Sequence, residues 1–404
     1  MLDQSKTTTF RYARSIVSAA AVIAATGTLA ACGGSDKPAA NASGESAGLP
    51  DQIEVAYVAD ATGPAGPVGQ ADLAGMKAAV ENAKRTGLID STIKINLLDS
   101  AGSAQKATTL TAQAAASDAV AMFGPAISSS GLAAAQIAQR REIPYLSVQA
   151  NAPGLSDLGE FTYSATPFPT QYIDLTTKYV KDEFRATSAG FIYGNDSPAL
   201  ASGWKESAKQ FGDAGIAVGE SVGLPVTATD FTAAATRVAR SKPDVVGVLL
   251  TAGQNAPAVT ALRRAGFRGK IVAYNGAAGG YLKAAGEDAA GVPYAVSYGA
   301  GMPFESTKKF EKLFAELNGG EQPSLFNAEG YAAMDLLLHA LAASKDASRG
   351  GVIKGLQQVA SSDGFDTSLG RFTLGNDNKR MGISPGVLIV WDGKKENAVP
   401  LDQQ

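Results

Sequence analysis

Short apolar runs alternate along the chain with longer stretches in which apolar residues recur every three or four positions. Residues 53–60 read IEVAYVAD, a β-rich run that ends in turn formers. In 70–85, Leu73, Met76, Val80 and Ala83 fall at helical spacing. Strand-like 93–99, helical 104–116, strand-like 120–125, helical 131–140 and strand-like 143–148 continue the rhythm. This order predicts a mostly parallel sheet with helices on both faces. After Pro167 the pattern restarts, with helices at 171–184, 203–211, 231–240 and 256–265 between strands at 189–193, 216–224, 245–250 and 271–274. Two more helices are expected at 308–317 and 331–344, and a short β pair at 372–374 and 387–391. The expected fold class is α/β: two Rossmann-like lobes with mostly parallel sheets joined by a hinge. In open α/β sheets ligands sit beyond the carboxyl ends of the strands, so two facing lobes favour a small solute held between them.

Length and composition agree with that picture. The 404 residues are too many for one average domain, and 45% hydrophobic with 18% charged content suits a globular protein. The net charge of -3, with Lys and Arg scattered, gives neither a nucleic-acid footprint nor a polybasic membrane patch. One Cys cannot form an internal disulfide, and one Cys with one His cannot build a Cys/His metal site. Any His-dependent catalyst would need His339, which lies in the apolar, helix-like run YAAMDLLLHALAAS and reads as a packed helix residue. Gly266-Phe267-Arg268-Gly269-Lys270 lacks the glycine spacing and the Ser/Thr of a phosphate-binding loop. No enzyme activity, cofactor or metal is expected.

The N-terminus reads as an address. Lys6, Arg11 and Arg14 precede an apolar run at 16–25 broken only by Ser18. Its length, about ten residues, fits a signal peptide and falls short of the roughly 18 needed to span a membrane. Leu29-Ala30-Ala31-Cys32 resembles the bacterial lipobox, in which the Cys is lipidated and becomes the new N-terminus. The resemblance implies a signal peptide at 1–31. The following GGSDKPAANASGESAG cannot bury a core, so 32–50 is expected to be a flexible tether on a lipid-anchored, extracytoplasmic protein.

Several stretches, in order, resemble the branched-chain amino-acid-binding (Leu/Ile/Val-binding) family of ABC transporter substrate-binding proteins, which has the type I periplasmic-binding fold. They are VAYVADATGPAGPVGQ from Val55 to Gln70, Leu97-Leu98-Asp99-Ser100 with Gln105-Lys106-Ala107, and Phe123-Gly124-Pro125 running into Ser128-Ser129-Ser130-Gly131. Ile143-Pro144-Tyr145-Leu146-Ser147, Thr229-Asp230-Phe231-Thr232, Pro243-Asp244-Val245-Val246, Arg264-Ala265-Gly266 and Ala289-Ala290-Gly291-Val292 follow. The resemblance implies lobe I at 51–167 plus 301–370 and lobe II at 168–300 plus 371–404. Crossings between lobes are expected near 165–170, 298–303 and 369–374. It further implies capture of an amino acid or related small carboxylated solute for separate membrane permease subunits, by a monomer held at the membrane through its lipid anchor. A ligand-presenting sensor of the same fold is the alternative.

Carried over motif by motif, first-lobe contacts fall on Val68, Ser128, Gln149, Ala150 and Asn151. Ser128 opens a helix, where backbone N–H groups and a hydroxyl can hold a carboxylate. It could equally cap that helix. Asn151 could be a contact or a turn former. The second-lobe positions are Asp196, Thr251 and Asn275. Here the chain departs from the family pattern. Asn195-Asp196-Ser197-Pro198-Ala199 lacks the usual aromatic, Val68 replaces another, and Asn275 stands where an acidic residue receives the α-ammonium. Asp196 could supply that acid or simply shape its loop.

Overall fold

The computed structural model describes residues 48–63, 65–375 and 380–399. Cys32 and the tether through Ala47 lie outside them. Strand β1 (Gln52–Ala59) is buried along nearly its whole length, as a central parallel strand must be when helices cover both faces. Helix α1 (Gly66–Thr86) follows, then β2 (Thr92–Asp99), α2 (Ala104–Ala115), β3 (Ala121–Phe123), α3 (Ser128–Arg140), β4 (Tyr145–Ser147) and β5 (Thr162–Ser164). These five strands form one parallel sheet in the order β2-β1-β3-β4-β5.

The second half repeats the plan. Helix α4 (Ile173–Asp182) leads into β6 (Ser188–Gly194), α5 (Pro198–Asp213), β7 (Ala217–Leu224), α6 (Thr232–Arg240), β8 (Val245–Leu249), α7 (Asn255–Arg264) and β9 (Lys270–Ala273). The parallel sheet here runs β7-β6-β8-β9. Strand β10 (Val292–Val296) follows, and then helices α8 (Glu305–Leu317), α9 (Leu325–Ser344) and α10 (Arg349–Ala360). Strands β11 (Phe365–Thr367), β12 (Gly370–Leu374) and β13 (Gly382–Ile383) make an antiparallel ribbon. Strands β14 (Val387–Trp391) and β15 (Glu396–Ala398) join β10 in another antiparallel sheet.

The expected β pair of 372–374 with 387–391 does not form. Leu374 pairs with Gly382 in β13, whereas Val387–Trp391 pairs with β10. Both runs find other partners because β10 and the short flanking strands, weak in the sequence pattern, compete for their edges. Between β12 and β14 the chain passes β5 and the segment before α4 on its way to the β10/β14 sheet. There, Ser164 N–H donates to Arg380 O at 2.8 Å, and the Tyr172 and Ser384 hydroxyls lie 2.8 Å apart.

Helix α9 packs on α1 along a glycine seam. A Cβ on Gly75 would sit 1.9 Å from Asn327 O, and one on Gly330 would sit 2.2 Å from Asp72 O. Helix α9 is largely buried. Among the described residues no helix is long and apolar enough to cross a membrane.

Candidate functional site

The carboxyl ends of both parallel sheets open onto one cavity of about 950 Å³. On the first side, buried Asp60 gathers three loops. It accepts from Gly102 N–H at 3.1 Å, Ala126 N–H at 3.1 Å and Ile127 N–H at 3.2 Å, and also from the Ser100 hydroxyl. Asp99 accepts from the Thr62 hydroxyl at 2.6 Å and from the backbone of Ala61 at 3.0 Å and Ala101 at 2.9 Å. Those bonds, the Thr62 hydroxyl foremost, hold its carboxyl below the usual range.

Between these loops α3 presents its N-terminus. Ile127 occupies the cap position and no side chain caps the helix, so Ser128 is its first helical residue rather than its cap. The first turn leaves backbone N–H groups of Ser128, Ser129 and Ser130 without intrahelical acceptors. Ser128 Oγ accepts from Asn151 N–H at 3.2 Å, and Asn151 Nδ2 donates to Gln149 O at 2.8 Å. Asn151 Oδ1 is buried without a partner. Gln149 Nε2 donates to Asp72 Oδ1 at 2.9 Å, and Tyr57 OH donates to Asp72 Oδ2 at 3.1 Å. Burial pushes the Asp72 carboxyl well up. Nearby Glu329, which accepts from the Ser297 hydroxyl at 2.6 Å, is pushed up to about 7 by burial.

On the second side the loops are tied by amides. Asn255 Nδ2 donates to Thr251 O and Gly276 O, both at 3.0 Å, joining the loops after β8 and β9. Gln254 Nε2 donates to Ala228 O at 2.8 Å and Gln254 Oε1 accepts from the Thr251 hydroxyl at 2.8 Å. Ser197 caps α5, accepting from Leu200 N–H at 3.5 Å.

Six of the positions singled out in the sequence line the cavity together: Val68, Ser128, Gln149, Asn151, Thr251 and Asn275. Ala150 and Asp196 are not among the lining residues. Ala150 is fully buried, its methyl packed toward Gly131. Asp196 is exposed and accepts from Val226 N–H at 2.8 Å, which shapes the loop after β6. Sequence reasoning missed Phe168, Phe231, Tyr274 and Phe326, which also line the cavity. Tyr274 was readable in principle, since it immediately follows β9, where strand-end contacts are expected. The loop-tying Asp60, Gln254 and Asn255 carried no sequence signal beyond their residue types.

His339 is not among the lining residues. Its Nε2 lies 3.8 Å from Asp335 Oδ1, too far for a hydrogen bond, and its ring stacks on Phe365 at 4.1 Å. Burial lowers the His339 pKa and pushes the Asp335 carboxyl up to about 7, so burial disfavours charge on both.

Residues 52–395 match the periplasmic binding protein family. The chain belongs to that family. Among solved structures, this periplasmic binding protein is similar to the leucine-binding protein LivK of Thermotoga maritima, with 20% identity over 86% of this chain and 98% of that one and a TM-score of 0.79. It is also similar to the branched-chain amino acid transporter substrate-binding protein LivJ of Streptococcus pneumoniae, in complex with isoleucine (20% identity, 86% and 99% coverage, TM-score 0.76). A third likeness is to an ABC transporter solute-binding protein of R. palustris in complex with benzoate (18% identity, 86% and 95% coverage, TM-score 0.76). No curated protein matches the chain. The fold of this periplasmic binding protein is the type I fold of those neighbours, with two lobes of mostly parallel α/β structure.

Proposed function

We propose that this periplasmic binding protein is the extracytoplasmic receptor of an ABC importer and captures a small carboxylated solute in the cavity between its lobes. The carrying observation is that cavity, where loops at the carboxyl ends of both parallel sheets line one space. A helix N-terminus and three consecutive serines on its wall suit a carboxylate. Isoleucine and benzoate, held by the structural neighbours, share a carboxylate and little else. Ligand would close the lobes about the connecting segments, and the closed form would dock on a separate permease. The lobe limits expected from the sequence, 51–167 plus 301–370 and 168–300 plus 371–404, are part of this proposal. So is anchoring through lipidated Cys32.

A thermal-shift screen across amino acids, aromatic and aliphatic carboxylates, polyamines and sugars tests the binding reading. Ligand at about 100 times its Kd stabilises the folded chain by roughly 2.7 kcal/mol. Stabilisation by carboxylates supports the proposal, and stabilisation by sugars or polyamines alone refutes the ligand class. For the anchor, the Cys32→Ala chain expressed in bacteria should leave the membrane fraction that retains the parent.

A further inference from the structure

The cavity wall is unusual in its charge. Among the described residues that line it there is no Asp, Glu, Lys, Arg or His. A wall without formal charge is still not equivalent toward ions of opposite sign. The first turn of α3 offers an anion the N–H groups of Ser128, Ser129 and Ser130, which have no intrahelical acceptor, beside their hydroxyls, while the N–H of the cap residue Ile127 already goes to the Asp60 carboxyl. Among the described lining residues no carboxylate faces a cation. Asn275 on the cavity wall supplies a neutral amide, and the unpartnered Asn151 Oδ1 carries no formal charge. Two carboxyls lie behind the wall: Asp72 is occupied by its bonds to Gln149 and Tyr57, and Asp60 by those from Ser100, Gly102, Ala126 and Ile127. Phe168, Phe231 and Tyr274 also line the cavity, with Phe326 from the start of α9. Flat aromatic surfaces favour offset or edge contacts with another ring.

We infer that the cleft takes an aromatic monocarboxylate bearing no ammonium group and discriminates against α-amino acids. This rests on reading the cavity as the solute site and names its ligand class. A bound zwitterion would have to strip water from its ammonium with no charged partner to replace it, a cost the des-amino acid does not meet.

Calorimetric titration of the purified full chain with matched probes tests the inference: 3-phenylpropanoate against L-phenylalanine, 4-methylpentanoate against L-leucine, and benzoate. The expected result is binding of the aromatic acids, with 3-phenylpropanoate at least tenfold tighter than phenylalanine and tighter than 4-methylpentanoate. Amino acids that bind as tightly as their des-amino partners overturn the ligand class while leaving the receptor reading intact, as would 4-methylpentanoate outbinding the aromatic acids. Silence from every probe overturns the inference, and the broader screen then decides whether another solute occupies the cleft. An Asn275→Asp variant, checked for folding by circular dichroism, supplies the missing negative charge. It should narrow the preference for 3-phenylpropanoate over phenylalanine at least tenfold, and an unchanged ratio in a folded variant overturns the charge argument.

Discussion

Gln149 Nε2 donates to Asp72 Oδ1 at 2.9 Å, so a side chain of the cavity wall is fastened to a carboxyl buried between β1 and α1. Gln149→Leu would leave that carboxyl with the Tyr57 hydroxyl as its remaining side-chain donor. Leaving a buried acceptor short of a partner costs about 1–3 kcal/mol. We expect Gln149→Leu to lower the melting temperature by several degrees even without ligand, measured by circular dichroism. An unchanged melt would mean that solvent already serves Asp72.

The buried carboxyls make stability depend on pH in a defined direction. Burial pushes both Glu329 and Asp335 up to about 7. The unfolded chain releases these protons near the ordinary carboxyl range of about 4. Between those values the folded state binds more protons, so stability falls as pH rises. Their contribution is complete below about pH 4 and is lost as pH climbs through about 7. Acid unfolding driven by other carboxylates sets the lower limit of the useful window. The melting temperature should decline from pH 5.5 to pH 8, and Glu329→Gln should flatten the decline. A profile that rises across this window in the parent chain contradicts the assignment.

The seam between α1 and α9 predicts two outcomes for one kind of substitution. Alanine at Gly75 or Gly330 would drive a methyl into backbone less than 2.5 Å away. Neither backbone can yield without shifting a helix, and each variant should lose on the order of 2–3 kcal/mol or fail to fold. Gly212, inside α5, has open space around the position of a Cβ and an ordinary helical backbone. Gly212→Ala should be neutral or stabilising by about 0.5–1 kcal/mol. Urea titrations of the variants compare the two directly.

Asn255 offers a test of loop order on the second side. Its amide serves Leu250 O, Thr251 O, Ala252 O and Gly276 O within 3.3 Å, drawing together the turns that carry Thr251 and Asn275. Asn255→Ala should weaken binding of the best ligand at least tenfold in calorimetry, beyond any loss of stability. Affinity unchanged from the parent would show that these turns keep their places without the amide.

The alternation of strands and helices was legible because period and turn residues agree at each junction. The ends of elements were less so, for identifiable reasons. Gly66-Pro67 looks like loop, yet Pro at the first helical positions is favourable and α1 starts there. Helix α9 begins at Leu325, six residues ahead of the expected start at Tyr331, through a capping box that uses Asn327 where Glu or Gln is the usual signal. Helix α10 went unseen because RGGVIKGLQQVA is rich in glycine. One of those glycines answers to tertiary contact: a Cβ on Gly355 would lie 2.0 Å from Ala340 O of α9. In the site, strand-end positions such as Thr251 and Asn275 were legible from topology. The apolar wall was not, because Phe168, Phe231 and Phe326 come from separate parts of the chain and are assembled only by folding.

The uncharged cavity wall also bears on how fast a solute is caught. Charged clefts focus an electric field that draws oppositely charged molecules in from solution and quickens their arrival, an effect that added salt erases. The described lining residues bear no formal charge and themselves cast little such field. Any salt dependence of solute capture would then come from charges outside the lining rather than from the wall itself.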